Sequence, residues 1–267
     1  MIELAVLDIA GTTVEEHGAV YLALEEAVRA AGGDPDAAAI ARWMGADKRE
    51  AIAALLTGRP GAVPGGGDDA GRSGRPGGSG RPDGSGRPGR SGRPDGPGRP
   101  GGAPGVDVVD RAFADFRERL RAAYAARPPA PLPGVPEAIA RLRASGVKVA
   151  LTTGFDRGVT AALLGELGWH AGRDGVLDAV VCVDDVPAGR PAPYMIFRAM
   201  EATGVRDVGR VLTAGDTVRD LEAGSNAGAA IVAGVLSGSQ DALALGAARH
   251  THLLPSVSAL PALLGLA

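Results

Sequence analysis

Residues 4–16 read LAVLDIAGTTVEE. Four apolar residues, Leu4, Ala5, Val6 and Leu7, run straight into Asp8, and Gly11, Thr12 and Thr13 then break the run. A short unbroken apolar run closed by a glycine turn is the pattern of a strand buried on both faces of a parallel sheet. Asp8 then stands at the carboxyl end of that strand, where open α/β sheets place their ligands. A carboxylate there is costly unless a metal, hydrogen bonds or a substrate compensates it. Taken alone, such an Asp more often just caps the turn that follows. The rest of the chain decides against that reading.

Beyond Thr13 the period changes from strand to helix. Val20, Leu24, Ala27 and Val28 share one face of a helix over residues 18–31, which Gly32 and Gly33 end. Residues 34–44 read as a second helix, and a third starts near Asp47 with Ile52, Leu55 and Leu56. Helical spacing returns at Val109, Phe113, Phe116, Leu120 and Tyr124 and is broken by the prolines of RPPAPLPG. From Pro133 onward helix and strand alternate: helix 135–144, strand 147–153, helix 159–167, strand 177–183, helix 193–202, strand 210–214, helix 218–227 and strand 230–235, with a weaker C-terminal stretch. That alternation predicts an α/β fold, a doubly wound parallel sheet with right-handed crossovers. Residues 1–14 and 133–267 form the core domain in this reading, and residues 15–132 an inserted α-helical cap.

Between about residues 58 and 105 the composition collapses into the repeat SGRPGG, SGRPDG, SGRPGR, SGRPDG, PGRPGG, with eight Arg and four Asp. The repeats lack aliphatic and aromatic side chains, so they cannot stack into a solenoid and predict a disordered, solvated insertion. An Arg-rich RNA-binding tail is disfavoured by the lack of aromatics for base stacking. The net charge of −3 speaks against a nucleic-acid footprint or a membrane surface. The single Cys182 excludes an internal disulfide and fits a reducing compartment. No basic leader precedes the first strand and no apolar run reaches ~18 residues, which points to a cytoplasmic protein. Among 28 basic residues Lys48 and Lys148 are the only lysines.

The strand ends carry Asp8, Thr153, Arg190 and the pair Asp216 and Asp220. Parallel strands bring such ends to one edge. Three carboxylates gathered there repel one another, and a hard cation, Mg²⁺ best, relieves them. Thr153 and the Gly154 N–H can donate to a phosphoryl oxygen, and Arg190 can neutralise its charge. Asp8 remains as a nucleophile toward phosphorus. A binding protein that uses the sheet as a scaffold would have no need to gather three carboxylates.

DIAGT, LTTG, AGRP and GDTVRD, in this order, resemble the four motifs of the haloacid dehalogenase superfamily. DIAGTTV, MGADK, TTGF, DDVPAGRPAPYM and GDTVRDLEAG are similar, more narrowly, to the phosphonatase-like hydrolases close to phosphonoacetaldehyde hydrolase. The resemblance implies hydrolysis of a C–P bond in a small-molecule phosphonate. It assigns Asp8 as nucleophile, Lys48 as Schiff-base residue, and Thr153, Gly154 and Arg190 as phosphoryl ligands. It also implies Mg²⁺ held by Asp8, the Ala10 carbonyl, Asp216 and Asp220, and a dimer through the lid helices, as the family assembles. Physical chemistry agrees on one oddity. Most superfamily members carry a second Asp two residues after the nucleophile to protonate the leaving oxygen; Ala10 cannot, so the leaving group needs no proton, as an enamine does not. A phosphatase of small phosphate esters is the alternative that Ala10 disfavours. The chain departs from phosphonatases at Ala51, where they carry His, at Phe155 and at Gly18, so proton traffic around Lys48 must run through His17, Asp47, Glu50 or water.

Overall fold

In a computed structural model, residues 1–58 and 105–266 are described; the Gly/Arg/Pro repeat lies outside the described residues. The chain runs β1 (Leu4–Asp8), β2 (Val14–Glu15), α1 (Ala19–Ala30), α2 (Ala37–Arg42), α3 (Lys48–Thr57), α4 (Val106–Ala126) and β3 (Ala130–Pro131). It continues through α5 (Val135–Ala144), β4 (Lys148–Thr153), α6 (Arg157–Glu166), β5 (Ala179–Cys182), α7 (Tyr194–Thr203), β6 (Val211–Gly215) and α8 (Val218–Ala227). β7 (Ile231–Val235), α9 (Ala242–Ala247), β8 (His252–Leu254) and α10 (Leu260–Leu263) complete it.

Six parallel strands form one sheet in the order β5-β4-β1-β6-β7-β8, the doubly wound arrangement. β1 is central and buried throughout, as its unbroken apolar run requires. The strand order reverses between β1 and β6, so Asp8 and the turn after Gly215 flank the switch point where such sheets open a crevice. Each face has its own core. Leu7, Leu151, Ile139 and Leu142 pack on one side, and Val6, Ala150, Met195 and Ala199 on the other.

Helices α1 to α4 share a separate core of Leu24, Val28, Ile40, Trp43, Ile52 and Phe116, with the Phe113 and Phe116 rings stacked 6.1 Å apart. An antiparallel ribbon joins this helical unit to the sheet, pairing Val14 with Pro131 and Glu15 with Ala130. Among the described residues no helix is long and apolar enough to cross a membrane.

Three segments differ from the periodicity. α2 is a six-residue helix that begins only after Asp36, whose carboxylate accepts the Ala39 N–H and so sets the start. The strand expected over 177–183 shrinks to Ala179–Cys182, because the Asp185 carboxylate accepts the Cys182 N–H at 2.9 Å and turns 183–185 into a 3₁₀ turn. β8 is a sixth strand that three residues of sequence are too short to announce.

Candidate active site

The turn after β1 lets two strand ends meet. Gly11 has φ +76°, and a Cβ there would lie 2.8 Å from the Asp216 carboxylate, so only glycine closes the turn. The Thr13 hydroxyl donates to the Asp8 carbonyl at 2.9 Å, and the Thr12 hydroxyl donates to Asp216 Oδ1 at 3.1 Å. Ser239, in the loop after β7, donates to Asp216 Oδ2 through its N–H at 2.7 Å and its hydroxyl at 2.8 Å. On the other side of β6, Thr217 and Asp220 form a capping box that starts α8 and holds the Asp220 carboxylate in place.

Asp8, Asp216 and Asp220 thereby bring one carboxylate oxygen each within 4.8 Å of one another, all three buried. Arg190 reaches in from the loop after β5. Its Nη1 lies 2.6 Å from Asp8 Oδ1 and 2.9 Å from Asp220 Oδ1, and its Nη2 donates to the hydroxyl and carbonyl of Thr152 at 2.7 and 3.0 Å. Burial pushes the Asp8 carboxyl up to about 8 against the pull of Arg190, with Asp220 and Asp216 pushing the same way; Asp216 is raised for the same reason. One guanidinium does not offset three buried carboxylates. The surplus negative charge and the all-oxygen donor set fit a hard divalent cation.

Lys48 is the first residue of α3 and is only 3% exposed. Its Nζ donates to the Ala46 carbonyl at 3.0 Å and lies 5.8 Å from the Phe155 ring centroid. Among the described residues no carboxylate lies within ion-pair distance of it. Burial lowers the amine to about 8 despite the charges of Asp8 and Asp47.

Asp8, Ala10, Lys48, Thr153, Gly154, Arg190 and Asp216 all line one cavity of about 260 Å³. Asp220 stands behind Arg190 and does not line it. The Thr153 hydroxyl accepts the Phe155 N–H at 3.1 Å, which shapes the loop around Gly154. Lys148 lies elsewhere, at the exposed start of β4, donating to the Thr203 carbonyl.

The structure sets the residues expected around Lys48 outside its cavity, although the charge of Asp47 is still felt at the amine. Asp47 and Glu50 line a different cavity, where Asp47 caps α3 by accepting the N–H groups of Arg49 and Glu50. His17 does not line the Lys48 cavity, and its ring sits 3.6 Å from Glu15. Several site residues escaped the sequence reading: Thr12, Thr152, Thr217, Ser239, Tyr21 and Glu16. Of these Ser239 carried a signal, since the apolar run 231–235 breaks at Ser-Gly-Ser as the other strands break at their ends.

Residues 2–228 match the model of the family described as hydrolase, haloacid dehalogenase-like hydrolase. The chain is 37% identical over 134 residues to phosphonoacetaldehyde hydrolase of Parabacteroides distasonis, covering 50% of this chain and 48% of that protein. Its counterpart from Bacillus cereus is 36% identical over 133 residues, with the same shares. The chain thus spans about half the length of the curated relatives it matches. A solved phosphonoacetaldehyde hydrolase-like protein from Oleispira antarctica superposes with a TM-score of 0.70 at 21% identity, covering 99% of this chain and 91% of that one. A hydrolase from Pseudomonas syringae gives 0.72 at 18% identity, with 99% of both chains covered. A family match over most of the chain, on a sheet that carries this family's fold, means that the protein belongs to the haloacid dehalogenase-like hydrolases.

Proposed function

We propose that the protein is a magnesium-dependent phosphonatase that hydrolyses the C–P bond of phosphonoacetaldehyde or a close 2-oxoethylphosphonate. The observation that carries this reading is Lys48, a buried amine without an ion-pair partner among the described residues, in the cavity that Asp8 lines. With its pKa lowered to about 8, roughly a tenth of it is neutral at pH 7, against about 0.03% of an ordinary lysine. A neutral amine adds to an aldehyde and loses water to give an iminium. The iminium draws in the electron pair of the C–P bond while an Asp8 oxygen bonds to phosphorus. The phosphoryl group is left on Asp8 and an enamine on Lys48. Water then hydrolyses both, giving phosphate and acetaldehyde.

Ala10 suits this sequence of events, because a carbon leaving group held as an enamine asks for no proton at the moment of cleavage. Thr153, the Gly154 N–H and Arg190 hold the phosphoryl oxygens. Asp8, the Ala10 carbonyl and Asp216 would hold Mg²⁺, with Asp220 in support, and the ion would neutralise carboxylate and phosphoryl charge. The helical unit α1–α4 acts as a lid that excludes water from the iminium.

The test is phosphate release from phosphonoacetaldehyde with Mg²⁺, with and without borohydride. Release that borohydride abolishes, with a reduced adduct on Lys48, is the expected result. Chelation should bring release to background and added Mg²⁺ should restore it. Release from sugar or alcohol phosphates but not from the phosphonate would replace this reading with that of a phosphatase.

A further inference from the structure

We infer that Glu16 is the general acid–base that serves Lys48 during imine formation. The inference rests on the Schiff-base reading above and deepens it. Forming the iminium needs two proton movements. The amine adds to the aldehyde carbon, the carbonyl π pair moves to oxygen, and a proton passes from nitrogen to that oxygen. An acid must then protonate the hydroxyl so that the C–O bond breaks, water leaves and the nitrogen lone pair closes the C=N bond. Glu16 enters that last step as a carboxylic acid and leaves it as a carboxylate beside the iminium cation, so atoms and charge balance. The enamine left by C–P cleavage takes a proton from solvent on carbon to become an iminium again, and Glu16 regains its own proton when water adds to that iminium.

The titratable groups lining the cavity are few: Asp8, Glu15, Glu16, Tyr21, Lys48, Arg190 and Asp216. Asp8 and Asp216 belong to the carboxylate cluster, and Arg190 keeps its proton at all relevant pH. Tyr21 leans on Ser239, feels Asp216 and Glu16, and is pushed by burial above its ordinary value, away from working pH. Glu15 is half-exposed and tied to His17, accepting its backbone N–H at 2.8 Å. Ala51, one turn along α3 from Lys48, carries no proton, and Phe155 offers Lys48 only a ring.

Glu16 is what remains. It is 9% exposed, and the charge of Lys48 is felt at it. The Val20 N–H holds one carboxylate oxygen, Oε2, at 2.9 Å. The Gly18 N–H also acts on the carboxylate, and the Glu16 side chain lines the cavity. Burial raises its pKa, which brings the acid form nearer to working pH, as a donor requires. A carboxylate held by backbone N–H groups at the wall of the cavity that Lys48 lines is positioned for proton transfer.

The bland role for Glu16 is to cap α1 through that Val20 bond. Glu16→Gln separates the two roles, because an amide oxygen still accepts the Val20 N–H while the side chain can no longer exchange a proton. Wild type and Glu16→Gln, loaded with Mg²⁺, are mixed with phosphonoacetaldehyde and quenched with borohydride at timed intervals, and the reduced adduct on Lys48 is followed by mass spectrometry. Adduct formation should slow by about 10²-fold or more, with an unchanged melting temperature. Adduct formation at the wild-type rate would reduce Glu16 to a helix cap and leave the Schiff-base reading intact. No adduct in the wild type would overturn that reading, and this inference with it. Should Glu16→Gln melt early, Glu16→Ala with added formate decides: rescue supports the assignment, and absence of rescue overturns it.

Discussion

Lys48 is expensive to bury, and that cost argues for a function. Its ammonium is removed from water and compensated by one backbone carbonyl. Because its folded pKa, about 8, lies below the ordinary 10.5, the unfolded chain holds more protons between those two values. Stability should therefore rise with pH from about 8 to 10.5, with the full penalty present below about 8. Lys48→Met should abolish phosphate release yet melt higher than wild type at pH 7, by the equivalent of about 1–3 kcal/mol, and should lose the rise above pH 8. A lower melting temperature would mean that the amine contributes to the fold. Asp8→Asn should cut phosphate release by a factor on the order of 10⁴, and retained turnover would remove Asp8 as nucleophile. At this scale the chain was partly legible. A lysine inside MGADK stands out in a sequence that otherwise uses arginine. Glu16, within VEEHG, looks like any solvated carboxylate until its burial is known.

At the scale of elements, the decisive contact is between the loop leading into α3 and the ends of the sheet. Gly154 meets this loop backbone to backbone, so that a Cβ on it would lie 2.5 Å from the Ala46 carbonyl oxygen. The same carbonyl accepts the Lys48 amine. Arg219, in the first turn of α8, stacks 5.0 Å from the Trp43 ring and donates to the carbonyls of Arg42 and Arg190, at 3.4 and 3.2 Å, so it joins the helical unit to the sheet. Gly154→Ala should lift the loop and displace Lys48. We expect imine formation to fall by about 10²-fold with little change in far-ultraviolet circular dichroism. Unchanged kinetics would show that the loop can yield without moving the amine. Gly154 was legible as a glycine that closes a strand. That it is needed for a second chain segment to lie on it was not, because nothing local in TTGF specifies what packs above.

Across the whole molecule, α3 ends at Thr57 and α4 begins at Val106, and the two helices pack in one core around Ile52, Phe113 and Phe116. The repeats over 73–102 carry no aliphatic or aromatic side chain with which to build a site. Replacing residues 60–104 by a short Gly/Ser linker should therefore leave kcat/KM within about two-fold. Loss of turnover on deletion would assign the repeat a part in the reaction.

The order of helices and strands could be read along the chain because each depends on a local period: an unbroken apolar run for β1, spacing of three and four for α1 and α4. The convergence of Asp8, Arg190 and Asp216 was equally legible, since parallel strands of one sheet must bring their ends to one edge. Folding alone settled which polar groups surround them. Thr12 meets Asp216 across 204 residues, Arg190 turns to Thr152 rather than to open space, and Glu16 shares a cavity with Lys48 while Asp47, its immediate neighbour, lines another. Local period tells a residue's element and its face. Which charge stands opposite is set by how distant faces pack, and no short stretch of sequence encodes that.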